Sequence, residues 1–125
     1  MNKSILAGII ALVLVLSCGI VEVVVLKNQY ATLHEECKEV MQLAKSETLS
    51  ATRYNEFREN WVKLRETSEL LLPHNDVYEL NLRFAEGQAY VEQGDFEQLL
   101  AQLSVIEELL DYVPHLITPN FNHIV

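Results

Sequence analysis

The stretch ILAGIIALVLVLSCGIVEVVVL, residues 5–26, decides how the rest of this chain is read. Its 22 positions carry one charged side chain, Glu22. As a helix rising about 1.5 Å per residue it is roughly 33 Å long, enough to cross a hydrocarbon core of about 30 Å. Glu22 stands one turn from the end of the stretch, where its carboxylate reaches the headgroup region beside Lys27. The pattern predicts a membrane span over residues 5–26 behind a short head, residues 1–4. A cleaved signal peptide has an apolar core of only about 7–15 residues and a small-residue exit, whereas here the apolar run continues past Ser17-Cys18-Gly19. Val15-Leu16-Ser17-Cys18 loosely resembles a lipobox, so a lipoprotein anchored at Cys18 is the alternative; Leu16 fits that pattern poorly.

Beyond the span the chain is acidic. The 125 residues carry a formal charge of −9, and no Lys or Arg follows Arg83. Seven acids do: Glu86, Glu92, Asp95, Glu97, Glu107, Glu108 and Asp111. Such a surface repels nucleic acid and anionic headgroups, so neither is expected as a partner of this part. It serves solubility, or it presents an interaction face (Glu86, Glu92, Glu97, Glu107, Glu108, Asp111) to a basic protein. Basic residues flank both ends of the span, Lys3 before it and Lys27, Lys38 and Lys45 after it, so charge alone does not orient it. The short head favours an amino terminus inside the cell and an extracytoplasmic domain at the cell membrane.

Helical periodicity organises everything after residue 26. Tyr30, Leu33, Cys37, Val40 and Ala44 step by three and four with no breaker between them and the span, predicting one helix from about Ile5 to Lys45. Hydroxyl residues over 46–52 interrupt it, with Thr52 as a cap for the next helix. That second helix, about 52–72, carries Tyr54, Phe57, Trp61, Leu64, Ser68 and Leu71 and ends before Pro73. His74 braces the turn and Asn75 or Asp76 caps a third helix, about 76–93, with Val77, Leu80, Phe84, Gly87 and Val91 inward. Gly94 stops it. Asp95 opens a fourth helix, about 95–113, with Gln98 three residues on as in a capping box. Phe96, Leu99, Leu100, Leu103, Ile106, Leu110 and Val113 face inward until Pro114, and the short Gly94-Asp95 junction demands an antiparallel hairpin. The tail keeps Leu116, Ile117, Phe121, Ile124 and Val125, apolar enough to pack on the bundle. The predicted fold is all-α, a single transmembrane helix continuing into a small antiparallel bundle over 27–125.

Chemistry-bearing constellations are sparse. The segment Gly87–Phe96 resembles the middle of a tetratricopeptide repeat, but Arg83 and Leu99 break the pattern and no second copy follows, so Gly87 and Gly94 read as packing and turn positions of a tight hairpin. His34 and Cys37 share a face one turn apart, yet a closed zinc site takes four ligands and His74, His115 and His123 supply no matching pair. No serine sits in a nucleophile elbow and no glycine-rich loop cradles phosphate, so neither catalytic residues nor a cofactor is expected. Cys18 and Cys37 are about 28 Å apart along one helix, beyond disulfide reach. Self-association through the face from Tyr30 to Ala44 covers only about two heptads, short for a coiled coil, although a homo-oligomer stays open.

Trp61, His74 thirteen residues later, the Val77/Leu80/Phe84 stripe, Asp95, Val113-Pro114 and the closing Asn122-His123-Ile124-Val125 together resemble a family of small membrane proteins of Gram-positive spore formers, domain of unknown function 4363. The resemblance implies a membrane-tethered helical domain and carries no activity with it. The combined expectation is a non-enzymatic interaction module held at the membrane. Its alternative is a small-molecule sensor in which two such bundles form a ligand cleft, drawing on Tyr30, His34 and Trp61 on apolar faces near the membrane exit.

Overall fold

The structure, a computed structural model, describes residues 2–116. It is all helical there: α1 (Lys3–Lys45), α2 (Ala51–Leu71), α3 (His74–Gln93), α4 (Phe96–Tyr112) and a closing 3-10 turn, Val113–Leu116. α1 packs on α2 and α4, and α3 packs on the same two helices. Chain neighbours therefore lie side by side and α4 closes the ring onto α1, giving an up-down-up-down four-helix bundle.

The long first helix has two unlike halves. Every large apolar side chain from Ile5 to Val21 is exposed. Burial begins with Val23, partly, and Leu26, fully, and then runs Tyr30, Leu33, Cys37, Val40, Ala44. Those steps alternate four and three, the spacing that keeps one stripe turned toward a neighbouring helix. With 43 residues α1 is about 64 Å long, and its apolar half projects from the base of the bundle. This half is long and apolar enough to cross a membrane.

Turn chemistry fixes the other helices. α1 ends with Glu47 at φ 58, the left-handed region, while the Thr48 amide reaches back to the Leu43 carbonyl. Ser50, not Thr52, caps α2: its backbone is extended and its side chain accepts from the Arg53 amide at 3.0 Å, whereas Thr52 is already helical. α3 starts at His74 without a side-chain cap. Neither Asn75 nor Asp76 caps it, because extended Leu72 and Pro73 turn the chain before them and Pro73 stands at the cap position. His74 is thus an exposed first-turn residue, and Asp76 in that turn complements the helix dipole. Gly94, at φ 73, ends α3 while the Asp95 amide bonds the Tyr90 carbonyl. Asp95 then accepts from the Gln98 amide at 3.2 Å, which is half of a capping box. Pro114 lies inside the 3-10 turn, which carries helical winding past Val113. Leu116 packs partly on the core, and Ile117, Phe121, Ile124 and Val125 lie outside the described residues.

Aromatic rings fill the middle. Trp61 stacks on Phe84 with centroids 5.6 Å apart and planes 2° from parallel. Tyr30 meets Trp61 edge-on at 6.4 Å, and Phe57 lies 4.8 Å from Phe84. Rings of this size each bury on the order of 150–250 Å², so this cluster, joining α1, α2 and α3, dominates the apolar core.

Candidate functional site

Three buried hydroxyls, those of Ser68, Tyr30 and Tyr54, are tied into the core. Ser68 donates to the Leu64 carbonyl at 2.8 Å, which leaves its oxygen free to accept from Tyr30 Oη at 2.7 Å. Tyr54 Oη donates to the Phe84 carbonyl at 2.7 Å and lies where a Cβ on Gly87 would fall. Burial raises both phenols, Tyr30 to about 12, and it pushes the Cys37 thiol up to about 12, with Glu107 and Glu36 adding to it. Cys37 is thus a protonated core residue whose thiol faces the Leu103 carbonyl at 3.8 Å, whereas Cys18 is exposed on the projecting half of α1. The buried hydroxyls and the Cys37 thiol hold helices together and offer no nucleophile to solvent.

Charged side chains line the seams between helices. Arg53 approaches Glu36 at 3.3 Å and Glu39 at 3.8 Å, and Asn60 donates to Glu36 at 2.9 Å, joining α1 to α2. Arg65 donates to Asn81 between α2 and α3 at 2.8 Å. Arg83 donates to Glu79 on its own helix at 2.8 Å and to Gln102 of α4 at 3.1 Å. Partly exposed pairs of this kind contribute at most about 1 kcal/mol each, so they set helix register more than stability.

The six acids of the candidate face are distributed unevenly. Glu97, Glu108 and Asp111 are exposed on α4 and, at 100° per residue, fall within about 60° of one another on its outer side, with Glu97 about 16 Å along the helix from Glu108. Glu107 turns into the seam with α1, 3.8 Å from His34 Nε2. Glu86 lies 3.8 Å from Arg83, and Glu92, about 120° further round α3, accepts from Gln88 at 3.2 Å. Only the α4 trio forms a common acidic strip.

Two open grooves flank α1. One of about 510 Å³ runs between α1 and α2, lined by Val25, Asn28, Thr32, Glu36, Asn60 and Lys63 among others. A smaller one between α1 and α4, about 250 Å³, is lined by Lys27, His34, Glu35, Asp111 and His115. Tyr30 and Trp61 open onto neither; both are fully buried, so they are core and not the wall of a cleft. Among the described residues no group of three or more His, Cys, Asp or Glu is placed to hold a metal. The sequence marked Gly87 as a close-packing position of the α3–α4 hairpin but did not name its partner, which is Tyr54 of α2.

The fold and its surfaces define a class: a compact four-helix bundle carried on an exposed apolar helix continuous with its first core helix. Within that class the chain belongs to the family described as Domain of unknown function (DUF4363), which matches residues 20–124. The match starts inside the apolar half of α1 and runs through the whole bundle. No curated protein and no solved structure matches the chain.

Proposed function

We propose that this is a single-pass membrane protein in which residues 5–26 cross the bilayer and the bundle is a non-enzymatic module that binds another protein on the extracytoplasmic side. The observation that carries the anchor is the uncovered row of large apolar side chains from Ile5 to Val21 on a helix that continues without a break into the core. That much exposed apolar surface has no stable place in water. The exposed side chains within residues 5–26 then contact lipid, and the acids Glu97, Glu108 and Asp111, on the side of α4 away from the core, suit a basic partner surface.

The test runs in intact cells. Gln98→Cys reacts with an impermeant thiol reagent if the bundle is outside, and protection there reverses the orientation. Photo-crosslinkers at Ala101 and Ser104, exposed between these acids on the same side of α4, yield one discrete adduct that Glu97→Lys with Glu108→Lys abolishes; no adduct, or one indifferent to the reversal, removes the interaction reading. The mass of the mature chain separates an uncleaved span from a lipoprotein beginning at Cys18.

A second reading, small-molecule binding, is favoured by the open groove between α1 and α2, whose largely apolar wall is lined by Val25, Leu33 and Leu64 together with Asn60 and Lys63. A thermal-shift screen of the full chain against small metabolites tests it, with Lys63→Ala and Asn60→Ala removing any stabilisation found.

A further inference from the structure

Among the described residues, three large apolar side chains outside the projecting half of α1 are more than half exposed: Leu70 at 84%, Tyr78 at 63% and Tyr112 at 54%. They sit on three different helices, α2, α3 and α4, at the same end of the bundle. Their heights follow from the contacts across the seams. Ser68 is bonded to Tyr30, so Leu70, two residues further on, lies about 3 Å lower, level with Asn28. Asn81 is bonded to Arg65, which puts Tyr78 level with Ser68 and hence with Tyr30. Glu107 faces His34, which puts Tyr112 level with Gln29. All three stand within about 6 Å above Leu26, where the exposed apolar half of α1 ends.

The interfacial layer of a bilayer is about 5–7 Å thick on each side of the hydrocarbon core, and tyrosines concentrate there because their rings bury while their hydroxyls stay wet. Resting on the reading of α1 as a membrane span, we propose that the base of the bundle is seated in the headgroup layer, with Leu70, Tyr78 and Tyr112 as the side chains that enter it. A surface perpendicular to α1 reaches all three flanks at once, whereas a second bundle alongside would cover one or two. Glu69, Asp76 and Asp111 lie at the height of the patch and His74 and Asn75 just below it, so these polar groups sit in the hydrated headgroup zone. With Glu66 and Glu108 about one turn higher, they limit how deep the base sinks.

The experiment uses the full chain carrying Cys18→Ala in phosphatidylcholine vesicles, with Cys37 buried and silent. Single cysteines replace Leu70, Tyr78, Tyr112 or Gln98 and carry an environment-sensitive fluorophore. Lipids bearing a headgroup nitroxide should lower emission about twofold or more at 70, 78 and 112 and leave 98 unchanged. Emission at 78 and 112 quenched no more than at 98 overturns the seat. A blue-shifted but unquenched signal does the same, since residues 117–125 or a second copy would then cover the patch. Extraction at alkaline pH on the same vesicles separates the two claims: retention without quenching sinks the seat alone, whereas release from the vesicles sinks the span beneath it as well.

Discussion

Tyr54 and Gly87 are fitted to each other: the tyrosine hydroxyl, donating to the Phe84 carbonyl, occupies the volume a side chain at 87 would need. The contact sets how closely α2 and α3 approach. Gly87→Ala should therefore destabilise the bundle by about 1–3 kcal/mol in urea unfolding, even though alanine favours helix. In a Tyr54→Phe background the cost of Gly87→Ala should fall by roughly half, because the ring carbon remains close after the hydroxyl is gone. Strictly additive effects would show that the two residues do not compete for one space.

The hydrogen-bond chain from Tyr30 through Ser68 to the Leu64 carbonyl is directional, so its two ends should respond unequally. Ser68→Ala strands a buried phenol and should cost about 1–3 kcal/mol. Tyr30→Phe leaves Ser68 still bonded to Leu64 and should cost less than about 1.5 kcal/mol. Equal costs in chemical denaturation would contradict this direction.

Trp61 packs without exposure, but its indole nitrogen has no hydrogen-bond partner among the described residues. Trp61→Ala should cost about 3–5 kcal/mol by opening a cavity in the aromatic cluster. Trp61→Phe keeps a ring against Phe84 and removes an unpaired buried donor, so its net cost should stay under about 2 kcal/mol. A phenylalanine variant as unstable as the alanine one would show that the indole nitrogen is satisfied in solution.

Stability should fall at alkaline pH. Burial raises Cys37 from 9.0 and Tyr30 from 10.0, both to about 12, so above pH 9 the unfolded chain loses protons that the folded one keeps. The unfolded state then binds fewer protons, and the free energy of unfolding declines as pH rises from about 9 to about 12. Urea midpoints across that window should decline, and Cys37→Ala should delay the onset toward the tyrosine range. A midpoint flat from pH 8 to 11 in the parent chain would refute the assignment.

Glu47 holds a left-handed backbone that side chains tolerate poorly, and it stands in the turn that releases α1 into α2. Glu47→Gly should raise stability by about 0.5–1 kcal/mol in thermal or urea unfolding. A loss of stability would mean that the glutamate side chain contributes more than the strain costs.

Reading along the chain recovered the helices because each apolar stripe repeats by three and four and is bounded by chemistry that stops or starts a helix. Leu33, Cys37 and Val40 on α1 and Leu99, Leu103 and Ile106 on α4 are core for that reason. Thr52 was misplaced for Ser50 because two nearby hydroxyl residues cap equally well and only backbone geometry decides between them. Asn75 and Asp76 were misplaced because α3 starts behind Pro73, which carries no capping group. The six acids were grouped by their position in the chain, and composition does not say that Glu107 turns toward His34 or Glu86 toward Arg83.

Local order alone therefore settled the all-helical class, the long apolar first helix and its continuation into the core, because hydrophobic period and length are properties of consecutive residues. What needed three dimensions was every relation between residues far apart in sequence: Tyr54 against Gly87, Tyr30 against Ser68, and Leu70, Tyr78 and Tyr112 at one height around the base. Those relations depend on the axial register of four packed helices, which is set by close packing of the whole core and leaves no periodic mark on any one of them.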